Sequence, residues 1–478
     1  MNKKVLSLFL AFAASASAFG QANISPAKAQ AKKAILMGAV IHVGNGQVIP
    51  NGYMTFEKGK ITGVGDATVV KLALTDADLI EANGKHVYPG FIAPVNTLGL
   101  VEYESVKATL DFQEIGNLNP HIRSLVAYNT DSKVPATLRS NGVLMAQIRP
   151  SGGAISGSSS IVQLDAWNWE DAAIKIDDGM HVNWPTAPRF RGFGGRPGFS
   201  AEAMKERTEA AIAELNSFFA EAKAYNEGPK PAETNTRMAA MAKLFKGEQK
   251  LYISANTQKD IVAAVNFAKK FNITPIIIGG SDAYLLTDFL KQNNVPVIVN
   301  QPHSLPGNID DDVNMPYKNT AILFNAGVTV AVSINDFWQQ RNLPFMAGTV
   351  ATWGLDKEKA LQTITLNTAK ILGIDKTAGS LEVGKDATFF ISTGDALDMK
   401  TNKIEKAFIQ GRDINLDNLH KQLDKKFSDK YTISNGYTLA ITPTCVSIVY
   451  VGVFGNIEKN ELKAGVYHSL FLLNSFFC

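Results

Sequence analysis

The chain has 478 residues, of which 45% are hydrophobic and 19% charged, with 38 Gly, 19 Pro, 7 His and 2 Cys. That length holds roughly two or three domains around a large buried core, and the near-average composition excludes a disordered, collagen-like or disulfide-stapled chain. Lys and Arg number 47 against 44 Asp and Glu, a formal charge of +3 that is too small to mark a nucleic-acid or anionic-membrane surface. Two Cys cannot build a four-Cys zinc site, whereas seven His suffice in number for a hydrolytic metal centre.

The elements follow in chain order. Residues 1–18 carry Lys3 and Lys4, an apolar run over 5–12 and the small-residue exit Ala16-Ser17-Ala18. These are the three parts of a secretory signal; the run is too short to span a bilayer, so export is expected, to a bacterial periplasm. Residues 19–33 read as a flexible lead-in. Residues 34–90 hold short strands with turn punctuation, including 34–41, 52–57 and 60–64, the first two separated by the turn at Gly44-Asn45-Gly46. A similar unit returns over 379–430, with strands at 385–391 and 406–409. The two are expected to pair as one small β-sandwich built from both ends of the fold.

Between them, residues 91–378 alternate apolar strands with amphipathic helices. Strands are predicted at 251–254, 273–278, 295–299 and 328–332, and the first leads into a helix with Ile261, Val265 and Ala268 on one face. Buried Val- and Ile-rich runs separated by such helices require a helix-covered parallel sheet, and the length suits a (β/α)8 TIM-like barrel. An insertion is read at about 185–236. It comprises a Gly- and Arg-rich loop over 189–200, a helix with Ile212, Leu215, Phe219 and Ala222 on one face, and a proline-containing link. It is expected over one end of the barrel, as a solvated excursion or as a lid. Residues 431–478 form an apolar, aromatic tail that holds both Cys445 and Cys478. Two extra strands, or a frameshifted or read-through extension without evolved structure, are the readings open to it.

Several stretches match one family in order: Glu57-Lys58-Gly59-Lys60-Ile61, His86-Val87-Tyr88-Pro89-Gly90-Phe91-Ile92, Thr363-Ile364-Thr365-Leu366-Asn367-Thr368-Ala369, and Gly379-Ser380-Leu381-Glu382-Val383-Gly384-Lys385-Asp386-Ala387. In these the chain resembles the amidohydrolase superfamily, and within it the imidazolonepropionase-like group, over about residues 34–413. The resemblance implies metal-assisted hydrolysis of C–N bonds in cyclic amides or dipeptides. It also implies a His-x-His pair after strand one, single His after strands five and six, and an Asp after strand eight, holding Zn or Fe at the barrel mouth.

The chain departs from that ligand set. Strand one continues as Ala93-Pro94-Val95-Asn96-Thr97, placing Val95 and Thr97 in the two His positions. Ser254 stands where the strand-five His is expected, and Gly279-Gly280-Ser281 follows strand six without one. Asp336, or Asn335 one residue earlier, fills the strand-eight slot. Of the seven His, His42 and His86 belong to the sandwich, His420 and His468 lie beyond the match, and His121 and His181 are read in loop or helix-start contexts. Only His303 follows a barrel strand and is expected at the mouth. A divalent metal is therefore expected only if the site survives in altered form.

The candidate residues are Asp336 for catalysis and His303, Asn256 and Arg149 for binding substrate, with no metal ligand assigned. Arg149 precedes the run Ser151-Gly152-Gly153-Ala154-Ile155-Ser156-Gly157-Ser158-Ser159-Ser160, which is read either as an anion cradle or as a tight packing loop. Two functions stand open. One is an exported hydrolase of C–N bonds with an altered or reduced metal site. The other is a catalytically inactive, metal-free binding or scaffolding relative, a pseudoenzyme. The partner expected is a small molecule, with no nucleic acid and no stable membrane span, and a homo-oligomer is left open.

Overall fold

The structure, a computed structural model, describes residues 24–71, 76–186, 201–229, 232–307, 310–431, 437–440 and 449–452. The signal segment 1–18, the first five residues of the lead-in (19–23), the Gly- and Arg-rich loop 189–200, His468, Cys445 and Cys478 lie outside the described residues. The chain divides into two compact units, Met1–Leu419 and His420–Cys478.

In the first unit, strands β1 (Lys33–His42), β2 (Val48–Glu57), β3 (Lys60–Asp66), β4 (Ala77–Glu81) and β5 (His86–Pro89) precede the eight strands of the central sheet. These eight are β6 (Phe91–Asn96), β7 (Val143–Ile148), β8 (Ile155–Gln163), β9 (Ala173–Asn183), β10 (Lys250–Ala255), β11 (Pro275–Gly279), β12 (Val297–Val299) and β13 (Val330–Val332). Strands β14 (Phe389–Ser392), β15 (Ile404–Ile409) and β16 (Arg412–Asp413) follow.

The terminal strands form one mixed sheet in the order β16-β15-β14-β5-β1-β2-β3, with β4 also paired to β1. The sheet curls back on itself until β3 meets the segment leading into β14: the Ile61 N–H donates to the Lys385 carbonyl, and the Ala387 N–H to the carbonyl of Gly59 just before β3. The expected sandwich is therefore one continuous sheet wrapped round its own core, in which Phe56 meets Phe389 and Phe408 edge-on. Alternation of apolar and polar residues puts Leu36, Met54, Ile61 and Val87 on that inner face.

The central sheet runs in the order β13 to β6 and is nearly closed. Strands β9 to β13 pair in parallel, as do β6 and β7. The gap between β13 and β6 is spanned by the turn after Lys357–Gln362: the Val332 N–H donates to the Thr363 carbonyl and the Ile92 N–H to that of Ile364. Inside lies an apolar layer to which Ile92, Met145, Ile161, Tyr252, Ile278 and Ile298 contribute. The helix Leu366–Leu372 joins this cluster through Ala369, Ile371 and Leu372, and Gly373 ends it at φ 73°, the left-handed conformation that suits glycine.

Two features differ from a regular barrel. Strand β8 runs antiparallel to both β7 and β9. Six residues join β7 to β8, too few for the crossover of a dozen or more that a parallel strand needs, so the chain must turn back. Gly152 and Gly153, at φ 86° and 64°, make that turn. The second feature concerns the expected insertion. Its helix, Ala201–Glu227, lies in the connection between the parallel neighbours β9 and β10, and so serves as their crossover. Leu215, Phe219 and Ala222 are buried, and the Phe219 ring lies 4.8 and 5.3 Å from those of Phe267 and Phe271 on or just past the helix Gln258–Lys270. It packs on the barrel's flank instead of covering an end.

The second unit contains most of the helix Leu419–Tyr431 and an antiparallel pair, β17 (Tyr437–Ala440) and β18 (Val449–Gly452). No helix among the described residues is long and apolar enough to cross a membrane.

Candidate functional site

The C-terminal ends of the parallel strands define one mouth of the barrel, where a site on this fold is expected. At the end of β6 the strand bulges, since Ala93 pairs with Ala146 and Asn96 with Ile148, three residues spanning two. Val95 sits in the bulge at φ 54°, a strained conformation for a β-branched residue. Its side chain joins the apolar layer inside the barrel, and its N–H donates to Gln147 Oε1 at 3.1 Å. Asn96 is buried and used locally: it donates to the Ala93 carbonyl and accepts from the Leu98 N–H. The first expected His position is thus filled by apolar packing and a bulge, and Thr97 occupies the second.

Across the barrel, Asn256 follows β10. Its side-chain oxygen accepts from Ser281 Oγ at 3.1 Å and from Asn300 Nδ2 at 3.3 Å, tying together the ends of β10, β11 and β12. Gly279 stands at φ 97°, and a Cβ there would meet Asn256 Oδ1 at 2.4 Å, so the close approach requires glycine. Neutral amides and a hydroxyl occupy this part of the rim. Ser333, at the end of β13, is buried and donates to the Val299 carbonyl. Asp336 is half-buried, and its Oδ1 accepts from the Trp338 N–H at 2.8 Å, which makes it a local turn-capping group with Asn335 exposed beside it.

His303 lies apart from these residues. Its Nε2 is 2.8 Å from Thr349 Oγ1 on the helix Leu343–Thr352, and its ring packs against Tyr317. It lines an open cavity of about 410 Å³ with Phe345, Lys357, Asp395 and Met399. The structure therefore joins Asn256 to Ser281 and Asn300 at the barrel rim, whereas the His303 ring pairs with Thr349 on the helix Leu343–Thr352. The run after Arg149 is a packing loop. The Ser151 N–H donates to the Phe112 carbonyl, and the Ala154 N–H to Asn117 Oδ1. A Cβ on Gly153 would strike the Asn117 carbonyl oxygen at 2.7 Å. The N–H groups of Ser151 and Ala154 are thus spent on contacts within the fold.

Sequence reasoning missed a polar group inside the barrel. Asp178 is fully buried and accepts from Ser159 Oγ at 2.7 Å, Gln147 Nε2 at 2.9 Å and Tyr252 OH at 2.9 Å. Burial raises its carboxyl above the usual range, against the opposing pull of those three donors. Next to it, His181 is not in a loop but in β9, 1% exposed, with its ring stacked on Tyr252 at 4.7 Å. Neither ring nitrogen has a hydrogen-bond partner. Burial, and then the charge of Arg149, push its pKa well below the ordinary value, so the ring is neutral at pH 7. The available signal was the alternation in Met180-His181-Val182, whose two apolar members face outward.

Arg149 follows β7, and its N–H donates to the Asn96 carbonyl. Its Nε is buried without a partner. Burial with no carboxylate beside it lowers the guanidinium to about 10, which leaves it charged at neutral pH. Among the described residues, no group of three or more His, Cys, Asp and Glu converges in a way that could hold a metal ion.

Residues 321–419 match the model of the amidohydrolase family. A curated relative, amidohydrolase tasK of Hapsidospora irregularis, is 32% identical over 109 residues, which are 21% of this chain and 11% of that protein. The chain thus spans about a tenth of the length of the curated relative it matches. Among solved structures, an amidohydrolase from Thermotoga maritima MSB8 superposes with a TM-score of 0.68 at 22% identity, over 80% of this chain and 99% of that one. Molinate hydrolase superposes at 0.50 with 15% identity, over 80% and 95% of the two chains. The superfamily relationship is supported from two sides. The barrel with its β-rich domain is the amidohydrolase-type fold, and the late-barrel segment carries the family pattern.

Proposed function

We propose that the chain is an exported amidohydrolase-family hydrolase of the imidazolonepropionase-like group. It acts on C–N bonds in cyclic-amide or dipeptide-like small molecules, with the family's metal site altered or reduced. The observation that carries this reading is the place of Asp336: just past the last barrel strand, inside the segment that matches the amidohydrolase family. A carboxylate there can take a proton from water and return it to a leaving amine. The other donors do not fit a Zn or Fe centre. Val95 has no donor atom, Thr97 and Ser254 offer weak neutral hydroxyls, and Gly280 offers no side chain. We therefore route no step through a metal. Asn256, Arg149 and His303 are assigned to substrate binding.

A second reading, a catalytically inactive and metal-free binding protein, is favoured by one specific observation. The strand-one position is a bulge with a strained, inward-packed Val95, which a single substitution would not convert into a ligand. The deciding experiment measures metal content of the purified protein and turnover of a panel of dipeptides and cyclic amides, with Asp336→Asn alongside. Turnover that Asp336→Asn abolishes supports the hydrolase. Absence of both metal and turnover supports the binding protein.

A further inference from the structure

Two imidazoles and a carboxylate join the terminal sheet to the barrel. His42 ends β1 and His86 opens the parallel neighbour β5, where Val40 pairs with His86. Alternation along the strands puts His42, His86 and Tyr88 on the face opposite the inward-packed Ile41 and Val87. His42 Nδ1 lies 2.7 Å from Glu358 Oε1, and His42 Nε2 lies 3.0 Å from His86 Nδ1. Tyr88 lies flat on the His42 ring at 4.2 Å. The His42 and Glu358 side chains are only 12% and 17% exposed, and Glu358 Oε2 is buried without a hydrogen-bond partner. The carboxylate therefore relies on His42.

Glu358 stands in the first turn of the helix Lys357–Gln362, where Asp356 accepts its N–H at 2.9 Å. The turn after this helix closes the barrel, since the carbonyls of Thr363 and Ile364 accept from Val332 on β13 and from Ile92 on β6. One short helix thus links the imidazole pair to the barrel seam. A second tie, Lys357 Nζ to Asp395 at 2.6 Å, has its lysine 70% exposed and holds the helix weakly.

The hydrogen bonds fix how many protons the pair can carry. A carboxylate only accepts, so His42 Nδ1 bears a proton. The gap between His42 Nε2 and His86 Nδ1 then holds one proton, donated by one ring to the other. The pair can take up one positive charge without losing that bond, and Glu358 balances it. A second charge sets N–H against N–H across the gap. His86 is faced by His42 from β1, by Glu358 and Lys357 from the helix and by Asp395 from the segment after β14, while the adjacent Lys85 is paired with Glu405. Burial, and then the charge of His42, lower the His86 pKa against the pull of Asp395 and Glu358. The second proton therefore enters below the ordinary value of about 6.5.

We propose that His42 and His86 form an acid-sensitive latch, which ties the helix Lys357–Gln362 to the terminal sheet and lets go when the pair takes up its second proton. Release loosens the seam between β6 and β13, the strands that lead to Asn96 and Asp336.

The test is amide hydrogen exchange of the full chain at pH 7.5 and pH 5, corrected for the intrinsic effect of pH and read by mass spectrometry. Peptides containing Ile92 and Val332 are expected to exchange about tenfold faster at pH 5, while those containing Ile253 and Ile277 on β10 and β11 hold their rates. In His86→Asn the side-chain oxygen can still accept from His42 Nε2 but takes no proton, so the acid response should vanish. His42→Phe removes the tie at every pH, and its seam should exchange fast under both conditions. His181→Phe should keep the full response. The proposal is overturned if the seam of the parent protein exchanges alike at both pH values, or if β10 and β11 accelerate in step with it. It is equally overturned if His86→Asn responds to acid as the parent does, if His42→Phe keeps a slow seam, or if His181→Phe abolishes the response.

Discussion

His181 lies flat on Tyr252, ring centroids 4.7 Å apart and planes within 5°, and the Tyr252 hydroxyl reaches on to donate to Asp178 at 2.9 Å. This contact brings polar groups into the barrel interior, against the apolar layer to which Tyr252 itself belongs. It also couples stability to pH. His181 has its folded pKa depressed below the unfolded value of about 6.5. The unfolded chain therefore binds the proton more readily, and stability must fall as pH drops through and below about 6.5. His181→Phe keeps a ring on Tyr252 and removes the titration. Its melting temperature is expected to change less than that of the parent between pH 7 and 5. Parallel melting curves for the two proteins would refute the assignment.

Gln147 answers two buried groups at once. Its Oε1 accepts from the Val95 N–H, and its Nε2 donates to Asp178 at 2.9 Å and to Ser159 Oγ at 3.2 Å. Gln147→Leu preserves bulk and leaves the N–H of Val95 without its acceptor in an already strained bulge. Each orphaned buried group costs about 1–3 kcal/mol, so urea unfolding should show a loss of about 2–4 kcal/mol. A loss under about 1 kcal/mol would mean that water or a backbone shift replaces the amide.

Much of the fold was legible because strands and helices announce themselves by period. The runs at 251–254 and 273–278 became β10 and β11, and Ile261, Val265 and Ala268 are buried on one helix face as their spacing predicts. Strand β8 was not legible as antiparallel, since its Ser-rich sequence lacks the apolar run of a barrel strand and its direction depends on the length of the connections around it. The helix at 201–227 was read correctly as a helix, but its role as a crossover depends on β9 pairing with β10, which is a long-range contact. The site was harder still. Substitution of the His positions is visible residue by residue, but the cluster of Asp178, Gln147, Ser159 and Tyr252 draws on four strands. No local pattern marks such a set. His181 was misplaced for the same reason: a short polar-interrupted strand resembles a loop until its neighbours are known.

A buried triad fixes the N-terminal segment and the last strand of the first unit to the barrel. Asp165 is almost wholly buried, accepts from Arg139 at 2.5 Å and from Arg412 at 3.3 Å, and its Oδ2 also takes the Ala27 N–H at 2.9 Å. Asp165→Ala would leave two guanidinium groups facing one another without an anion. Breaking a buried pair in this way costs about 3–5 kcal/mol, and here two cations share the loss. Guanidinium chloride denaturation should place the variant at or beyond the upper end of that range. Added salt should restore little, because the site is shielded from solvent.

The rim amides make the opposite prediction. Asn256 is exposed, and the Ser281 and Asn300 side chains that it accepts from can turn to water instead, so Asn256→Ala should shift the melting temperature by no more than about 2 °C. If the rim holds the amide of a substrate, the same variant weakens binding of dipeptides and cyclic amides by about 3–10-fold, the worth of one hydrogen bond. Gly279→Ala provides a second route to the same result. Its Cβ would collide with Asn256 Oδ1 while the backbone sits at φ 97°, so it should both displace the amide and destabilise the strand end. Titration of one dipeptide against the two variants, with melting curves alongside, separates these effects, and unchanged binding in Asn256→Ala would contradict a substrate-binding role for the rim amide.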